Sequence, residues 1–338
     1  MTHFVQKGFT LIELLVSLVL GLLIIAAGTI LFITGQRSYS VQQGAAEIQN
    51  NANFGLNLIA KNIRHTNLDA TVSKINDRTH LGGIVFSSSV NPYTDTVNGG
   101  TKLSNLPSSI PSASAPLTLM SRSNGQQVAT VANHWKGESN VVDASTEAEL
   151  KSDQLVIQYR PVLTGGFDCE GNEITTTDKM VIERYFLRVD SNAAPNEPNK
   201  ALALACDAGR FSVVNPTAFE NYGDAGQIIM QRVDYFRVLL GIEEMSSAAP
   251  RRRFVDIKTY LDDFPSNATV ERPKIKSIQI GILSRSTSPV GDDDVIKSDQ
   301  AFTIMDQTVK VKTSTATPLK YVRQVVSQTV ALRNASGE

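Results

Sequence analysis

The chain begins with a long apolar run that carries no charge. After Glu13 the next charged residue is Arg37, and the residues from Leu14 to Ile33 are almost all apolar. A helix of about twenty residues is roughly 30 Å long, which is the thickness of the hydrocarbon core of a bilayer. The pattern therefore predicts a membrane-spanning helix. An ionised carboxylate costs about 2.5–3.5 kcal/mol in such a segment, so Glu13 needs a specific role.

A helical period continues beyond the apolar run. Apolar residues recur every three or four positions from Val41 to Ile63, and polar residues occupy the other faces. Because the first 69 residues contain no proline, one uninterrupted helix is predicted from Phe9 to about Arg64. Its second half is expected to pack one stripe on a globular domain. That stripe consists of Val41, Ala45, Ile48, Ala52, Leu56, Ile59 and Ile63.

From Ala70 onward, short runs of alternating apolar residues separated by turn residues predict a β-rich domain. Two polar segments, 87–114 and 192–200, are predicted to be surface loops, because their serines, prolines and glycines bury little apolar surface. There is no tandem repeat and no clear linker. The predicted strands are Gln154–Tyr159, Met180–Val189, Val233–Ile242, Ser277–Leu283 and Val322–Leu332.

Composition adds few candidates for chemistry. The 32 basic and 33 acidic residues give a net charge of −1, so direct nucleic-acid binding is not predicted. The basic cluster Arg251–Arg253 is expected in a solvated loop. The motifs of serine hydrolases, zinc proteases, Walker loops and dinucleotide-binding folds are absent from the sequence, so we predict no enzymatic activity and no cofactor. His134-Trp135 holds the only tryptophan, which is expected to be a partly buried anchor.

One acidic loop is a candidate for a metal ion. Asp292, Asp293 and Asp294 follow Gly291 and could offer carboxylate oxygens to calcium. The loop lacks the twelve-residue spacing of an EF-hand, however, so a solvated turn is the expected structure and no metal is predicted.

Three interpretations of the N-terminus compete. A secretory signal would use Lys7 and a cleavage site near Gly28, but the apolar run continues past that site. A plain membrane anchor fits the length but leaves Glu13 unexplained. The third interpretation rests on Gly8-Phe9-Thr10-Leu11-Ile12-Glu13, which resembles the class III signal of type IV prepilins and pseudopilins.

This resemblance implies a series of events at the N-terminus. A prepilin peptidase would cleave after Gly8, and Phe9 would be N-methylated as the new first residue. Glu13 would become the fifth residue, the carboxylate thought to pair with the N-terminal amine of a neighbouring subunit. An opposite charge lowers the cost of placing either ion in an apolar setting.

The resemblance also implies an α+β, type IV pilin-like fold, in which a long N-terminal helix packs on an antiparallel sheet domain. The implied parts are a leader (1–8), a transmembrane or filament-core half of the helix (9–36), an amphipathic periplasmic half (37–68) and a periplasmic globular domain (69–338). The N-terminus would be cytoplasmic, in the inner membrane. The chain would later enter the pilus at the cell surface.

Several segments of the body resemble PilW-type minor pilins. They are Asp168–Gly171, Ile182–Phe186, Arg232–Gly241, Ile278–Ser286 and Gln328–Asn334. This resemblance implies a subunit that primes a type IV pilus and occupies its tip, in support of twitching, adhesion or DNA uptake. The implied partners are other minor pilins, the major pilin, the inner-membrane assembly platform and a large tip adhesin.

Two alternatives stay open. The first is a J-type pseudopilin of a type II secretion system, which shares the leader and the fold but is usually shorter. The second is a membrane-anchored periplasmic module that binds or adheres.

The pilin topology would also place the two cysteines in the oxidising periplasm, where a disulfide can form. Cys169 and Cys206 are each predicted in a polar loop that follows a strand. Two separate thiols are the alternative to a bridge.

Overall fold

A single helix of 53 residues, α1 (Leu11–Ile63), precedes a β-rich body in the computed structural model of the chain. The structure describes residues 8–90, 93–95, 101–194, 197–244, 249–264, 272–290, 296–297, 299–312 and 320–335. Thr10 caps the start of α1, and Arg64 follows its last turn. The prediction of one unbroken helix is confirmed to within two residues at each end.

Only the second half of α1 is buried. Up to Tyr39 the described residues are exposed, except for the half-buried Gly21. From Ile48 onward, the predicted apolar stripe turns to the body, and Ile59 and Ile63 are completely buried. The first half of the helix is therefore apolar and exposed, whereas the second half packs into the core.

The body is built mainly from strands. A short helix, α2 (Ile257–Asp262), and two turns of 3-10 helix (Leu117–Leu119 and Arg333–Ala335) accompany them. In chain order the strands are β1 (Tyr93–Asp95), β2 (Thr101–Leu103), β3 (Val141–Asp143), β4 (Leu155–Tyr159), β5 (Lys179–Val189), β6 (Leu202–Ser212), β7 (Gln227–Gln231), β8 (Val233–Glu244), β9 (Arg251–Asp256), β10 (Lys274–Arg285), β11 (Ala301–Ile304), β12 (Gln307–Val311) and β13 (Arg323–Ala331).

These strands form two four-stranded antiparallel sheets and two smaller ones. The first sheet has the order β4-β5-β6-β7, and the second has the order β13-β10-β8-β9. Strands β11, β12 and β3 form a three-stranded sheet, and β1 pairs with β2. The helix packs against β7, β10 and β13. The predicted α+β class, with a long N-terminal helix on antiparallel sheet, is confirmed.

The main core lies between α1 and the two larger sheets. Alternate residues of one strand reach opposite faces of a sheet, so Leu155 and Ile157 of β4 join this core while Val156 joins a second core. In β10, Ile278, Ile280 and Ile282 all face the main core, as the sequence predicted.

The second core corrects the prediction for the serine-rich segment 87–114. Leu106 and Ile110 are buried against the outer face of the first sheet rather than exposed on a loop. Side-chain hydrogen bonds replace strand pairing there: the side-chain oxygen Oδ1 of Asn105 accepts from the backbone N–H groups of Phe86 and Ser87 at 2.9 and 3.2 Å. Short polar side chains thus allow residues 104–107 of this irregular segment to be buried.

The basic cluster Arg251–Arg253 is also placed differently from the prediction. It forms the start of β9, an edge strand, rather than a loop, although its side chains are exposed. The register between β8 and β9 explains the ion pairs of these arginines. Arg252 lies opposite Glu243 and Arg253 lies diagonal to its ion-pair partner Glu244, with N–O distances of 2.8 and 2.6 Å.

Candidate anchoring and assembly site

The exposed half of α1 starts with a capping box. The Glu13 carboxylate, through Oε2, accepts from the Thr10 backbone N–H at 2.9 Å and from the Thr10 hydroxyl at 3.0 Å. The Glu13 N–H donates to the Thr10 hydroxyl at 3.4 Å. These bonds satisfy N–H groups that a helix start leaves without intrahelical partners. Glu13 therefore has a local role in capping the N-terminal end of α1, and both bonds that it accepts use one oxygen.

The surface that follows Glu13 is apolar on every side. Its most hydrophobic 18-residue window has a mean hydropathy of 2.8, and none of that window is buried. Phe9 is 87% exposed, and Gly8 is exposed as well. A helix that is hydrophobic all round requires either lipid or other apolar helices as its surroundings. These residues can therefore anchor the chain in a membrane or pack inside an assembly.

The other half of α1 is fixed closely to the body. A Cβ added to Gly44 would lie 3.2 Å from Ser286 Cβ, and one on Gly55 would lie 2.8 Å from the Met230 methyl group. Nearby, the Thr287 hydroxyl donates to the Glu47 carboxylate at 2.7 Å. Because these glycines allow close approach, the helix packs tightly against the neighbouring strands and loops here.

The C-terminal end of α1 is tied to distant parts of the chain. Asn67, in the left-handed region with φ of 63°, accepts from the Gly83 N–H at 2.9 Å and donates to the Asn334 carbonyl at 3.0 Å. The Asn334 amide in turn donates to the Thr66 carbonyl at 3.1 Å. The last described turn of the chain is therefore held against the end of the helix.

The structure joins Cys169 and Cys206 in a disulfide, with a Cα–Cα distance of 6.1 Å. Both residues are buried in the main core. The predicted surroundings are wrong for Cys206, which lies in the middle of β6 rather than in a loop. Its neighbours Ala203, Leu204 and Ala205 do not alternate between apolar and polar residues, so the sequence did not predict this strand.

A buried carboxyl lies beside the disulfide. Glu183 accepts from the hydroxyl groups of Tyr159 and Tyr185 and from the Cys169 N–H, at 3.2, 2.7 and 3.2 Å. Burial raises the pKa of Glu183 to about 7, although these hydrogen bonds favour its charged form. Asn62 of α1 donates to the Tyr185 hydroxyl at 3.0 Å. The helix, the first sheet and the disulfide thus share one buried polar network.

A second buried network was not foreseen from the sequence. Arg285 forms ion pairs with Glu197 and with Asp234, and Asp234 also accepts from Arg323 at 2.7 Å. Arg232 adds a pair with Glu197 at 2.7 Å. Buried arginines need such partners, because an uncompensated buried charge is strongly destabilising. The network joins Glu197, in the polar loop before β6, to the ends of β8, β10 and β13.

Two further predictions concerned Trp135 and the acidic loop 292–294. Trp135 is fully buried, and its indole N–H donates to the Ser152 carbonyl at 2.9 Å. The acidic candidates Asp292, Asp293 and Asp294 lie outside the described residues.

Comparisons with known proteins match two separate parts of the chain. Residues 4–29 match the model of the prokaryotic N-terminal methylation motif, and residues 184–334 match the model described as type IV pilus-assembly protein W, PilW. A solved type IV-like pilin from Thermus thermophilus is 14% identical, with 60% of this chain and 85% of that chain covered and a TM-score of 0.24. No curated protein matches the chain at a significant level.

The methylation motif, together with the exposed apolar half of α1 that it overlaps, defines a membrane-anchored protein of the type IV pilin class. The second match covers the body from Arg184 in β5 to Asn334, beyond the last strand. Together, the two matches support a PilW-type minor pilin of the type IV pilus. Its family is structural, and association with other pilus components follows from it.

Proposed function

We propose that this minor pilin primes the assembly of a type IV pilus and lies at or near the tip of the filament. The supporting observation is the division of α1 into an exposed apolar half and a half locked to a large body. The apolar half can enter a helical filament core. The body covers the end of such a filament and contributes to contacts with other minor pilins, the major pilin and a large tip adhesin.

Processing and topology belong to this proposal. A prepilin peptidase removes residues 1–8 by cleavage after Gly8, and Phe9 becomes the methylated first residue. Residues 9–36 then lie in the inner membrane or the filament core, and residues 37–68 form the periplasmic half of the helix. Residues 69–338 form the periplasmic domain, with the N-terminus cytoplasmic.

In the assembled state, Glu13 pairs with the N-terminal amine of a neighbouring subunit on the assembly platform. The capping box supports this role, because it uses a single carboxylate oxygen and holds the side chain in place. A carboxylate that faced an apolar neighbour without a counter-ion would be costly. The negative charge, rather than the capping hydrogen bonds, is therefore the property that assembly needs.

Two substitutions separate charge from capping. Glu13→Gln keeps an oxygen that can accept from Thr10 but removes the charge, whereas Thr10→Val removes the hydroxyl partner and keeps the charge. We expect Glu13→Gln and Glu13→Ala both to lose surface pili and twitching, with membrane insertion unchanged. Thr10→Val is expected to retain pili, since loss of one cap costs only about 0.5–2 kcal/mol.

Piliation, twitching and membrane insertion are measured together for the three variants. Normal piliation of Glu13→Gln would contradict the charge-pairing role and leave capping as the function of the carboxylate. Normal piliation of both Glu13 variants, with loss of ligand binding, would favour a binding module instead. Deletion of the gene should abolish surface pili and leave type II secretion intact, and the opposite result would indicate a pseudopilin.

A further inference from the structure

Three carboxylates meet beside the disulfide. They belong to Glu170, Asp207 and Asp224, and one oxygen of each lies within 4.8 Å of the others. Glu170 follows Cys169 in a turn, Asp207 follows Cys206 within β6, and Asp224 lies in the loop before β7. Three separate segments of the chain thus contribute one acidic side chain each.

The buried carboxylate of Asp207 is only partly satisfied by hydrogen bonds. Its side chain is completely buried, and its Oδ2 accepts from Arg184 Nη2 at 2.6 Å and from the Gly223 N–H at 3.0 Å. Its other oxygen, Oδ1, is buried and has no hydrogen-bond donor within the described part of the chain. A buried acceptor without a partner costs about 1–3 kcal/mol, and more when it is charged.

The local charge is unbalanced. Arg184 supplies one positive charge to the cluster, but its Nη1 is occupied by the Asn133 carbonyl, at 2.7 Å. The nearby Asp168 is already paired with Arg210 at 2.8 Å. When all three carboxylates are ionised, the Arg184 guanidinium leaves an excess of two negative charges, which is the charge that a divalent cation neutralises.

We propose that Glu170, Asp207 and Asp224 bind one calcium ion. The donors are all carboxylate oxygens, which hard cations prefer and which do not select zinc or copper. Calcium–oxygen distances of about 2.3–2.6 Å allow two ligand oxygens to be up to roughly 5 Å apart, so these side chains, whose oxygens lie within 4.8 Å of one another, need at most a small shift to share one ion. Asp224 is exposed, and water can complete the six to eight ligands that calcium takes.

The backbone around the site is fixed in advance. The disulfide holds the residues next to Glu170 and Asp207 together, with a Cα–Cα distance of 6.1 Å. The loop of Asp224 is clamped on β6, because a Cβ on Gly226 would lie 2.2 Å from the Cys206 carbonyl oxygen. The Gly226 N–H also donates to Asp224 Oδ1 at 2.7 Å. A rigid frame of this kind reduces the ordering that binding would otherwise require.

The test uses the full-length protein in detergent, stripped with a chelator and titrated with calcium chloride by calorimetry and by thermal unfolding. We expect one ion per chain, with a dissociation constant of about 10⁻⁴–10⁻³ M, as in extracellular calcium modules, and weaker binding of magnesium. Asp224→Asn retains the acceptor for the Gly226 N–H and should weaken calcium binding at least tenfold. Glu170→Gln should do the same, and Glu173→Gln, an exposed neighbour in the same turn, should bind as the unaltered protein does.

A comparison without metal excludes a merely structural effect. In chelator, Asp224→Asn should unfold at the same temperature as the unaltered protein or slightly higher, since it relieves repulsion among the carboxylates. In 5 mM calcium chloride, the unaltered protein should be the more stable of the two. Calcium binding that is absent, or equal in Asp224→Asn and the unaltered protein, would overturn the proposal. It would leave the minor-pilin function untouched, because piliation does not enter the measurement.

Discussion

Truncation of Ile59 tests whether the second half of α1 is a structural part of the body. Ile59 is completely buried in the main core between the helix and the two larger sheets. Ile59→Ala removes three buried carbons, which loses about 2–2.5 kcal/mol at roughly 0.8 kcal/mol per methylene. The cavity adds a further cost, and buried isoleucine-to-alanine changes total about 2–5 kcal/mol.

The chain offers a matched control on the same part of the helix. Phe54 is 70% exposed, so Phe54→Ala removes a larger side chain from a position that contributes little to the core. Its free energy of unfolding should change by no more than about 0.5 kcal/mol. An effect of Phe54→Ala on piliation with unchanged stability would indicate a contact with another subunit.

The assay is thermal unfolding of the full-length protein in detergent, followed by circular dichroism. At about 2 °C per kcal/mol for a body of this size, Ile59→Ala should lower the melting temperature by roughly 4–10 °C and Phe54→Ala by about 1 °C or less. Equal melting temperatures for the two variants would refute the packing of the helix on the sheets.

Two further changes probe the network beside the disulfide. Reduction of Cys169–Cys206, whose sequence separation is 37, should lower stability by about 3–4 kcal/mol, and an unchanged melting temperature in reductant would contradict this. Burial raises the pKa of Glu183 from 4.5 to about 7. Between these two pH values the folded protein keeps a proton that the unfolded chain has lost, so the free energy of unfolding falls as the pH rises from 4.5 to about 7. The melting temperature of Glu183→Gln relative to the unaltered protein should therefore increase from pH 5 to pH 8, and a constant difference would argue against a raised pKa.

The sequence predicted the elements whose residues alternate clearly. The helix follows from the period of its apolar stripe, and the strand Ser277–Leu283 follows from isoleucines at every second position, within β10 (Lys274–Arg285). Strand β6 escaped prediction, because its alanines and leucines are buried on both faces and show no alternation. The local pattern of apolar and polar residues identifies a strand with one solvent-exposed face better than a strand that is buried on both faces.

Burial of the serine-rich segment depended on contacts that no local pattern shows. Asn105 and the hydroxyl of Ser88 bond to backbone groups far along the chain, and these bonds let polar residues enter the second core. The exposed cluster Arg251–Arg253 became a strand through its pairing with β8. In both cases tertiary partners, absent from the local sequence, decided the structure.

The sequence predicted those site residues that are close together in the chain and missed those that only the fold brings together. Gly8, Phe9 and Glu13 lie together in one short motif, so their roles could be predicted at once, although the capping bonds of Glu13 to Thr10 were not. The carboxylates beside the disulfide are separated by 17 to 54 positions in the chain, and only the fold brings them together.

The most direct test of the central claim is mass spectrometry of the mature protein from cells that make pili. A prepilin-type subunit should begin at Phe9, carry one N-terminal methyl group and retain the entire apolar helix. A chain that begins at Met1, or one that has been cut near Gly28, would contradict the account.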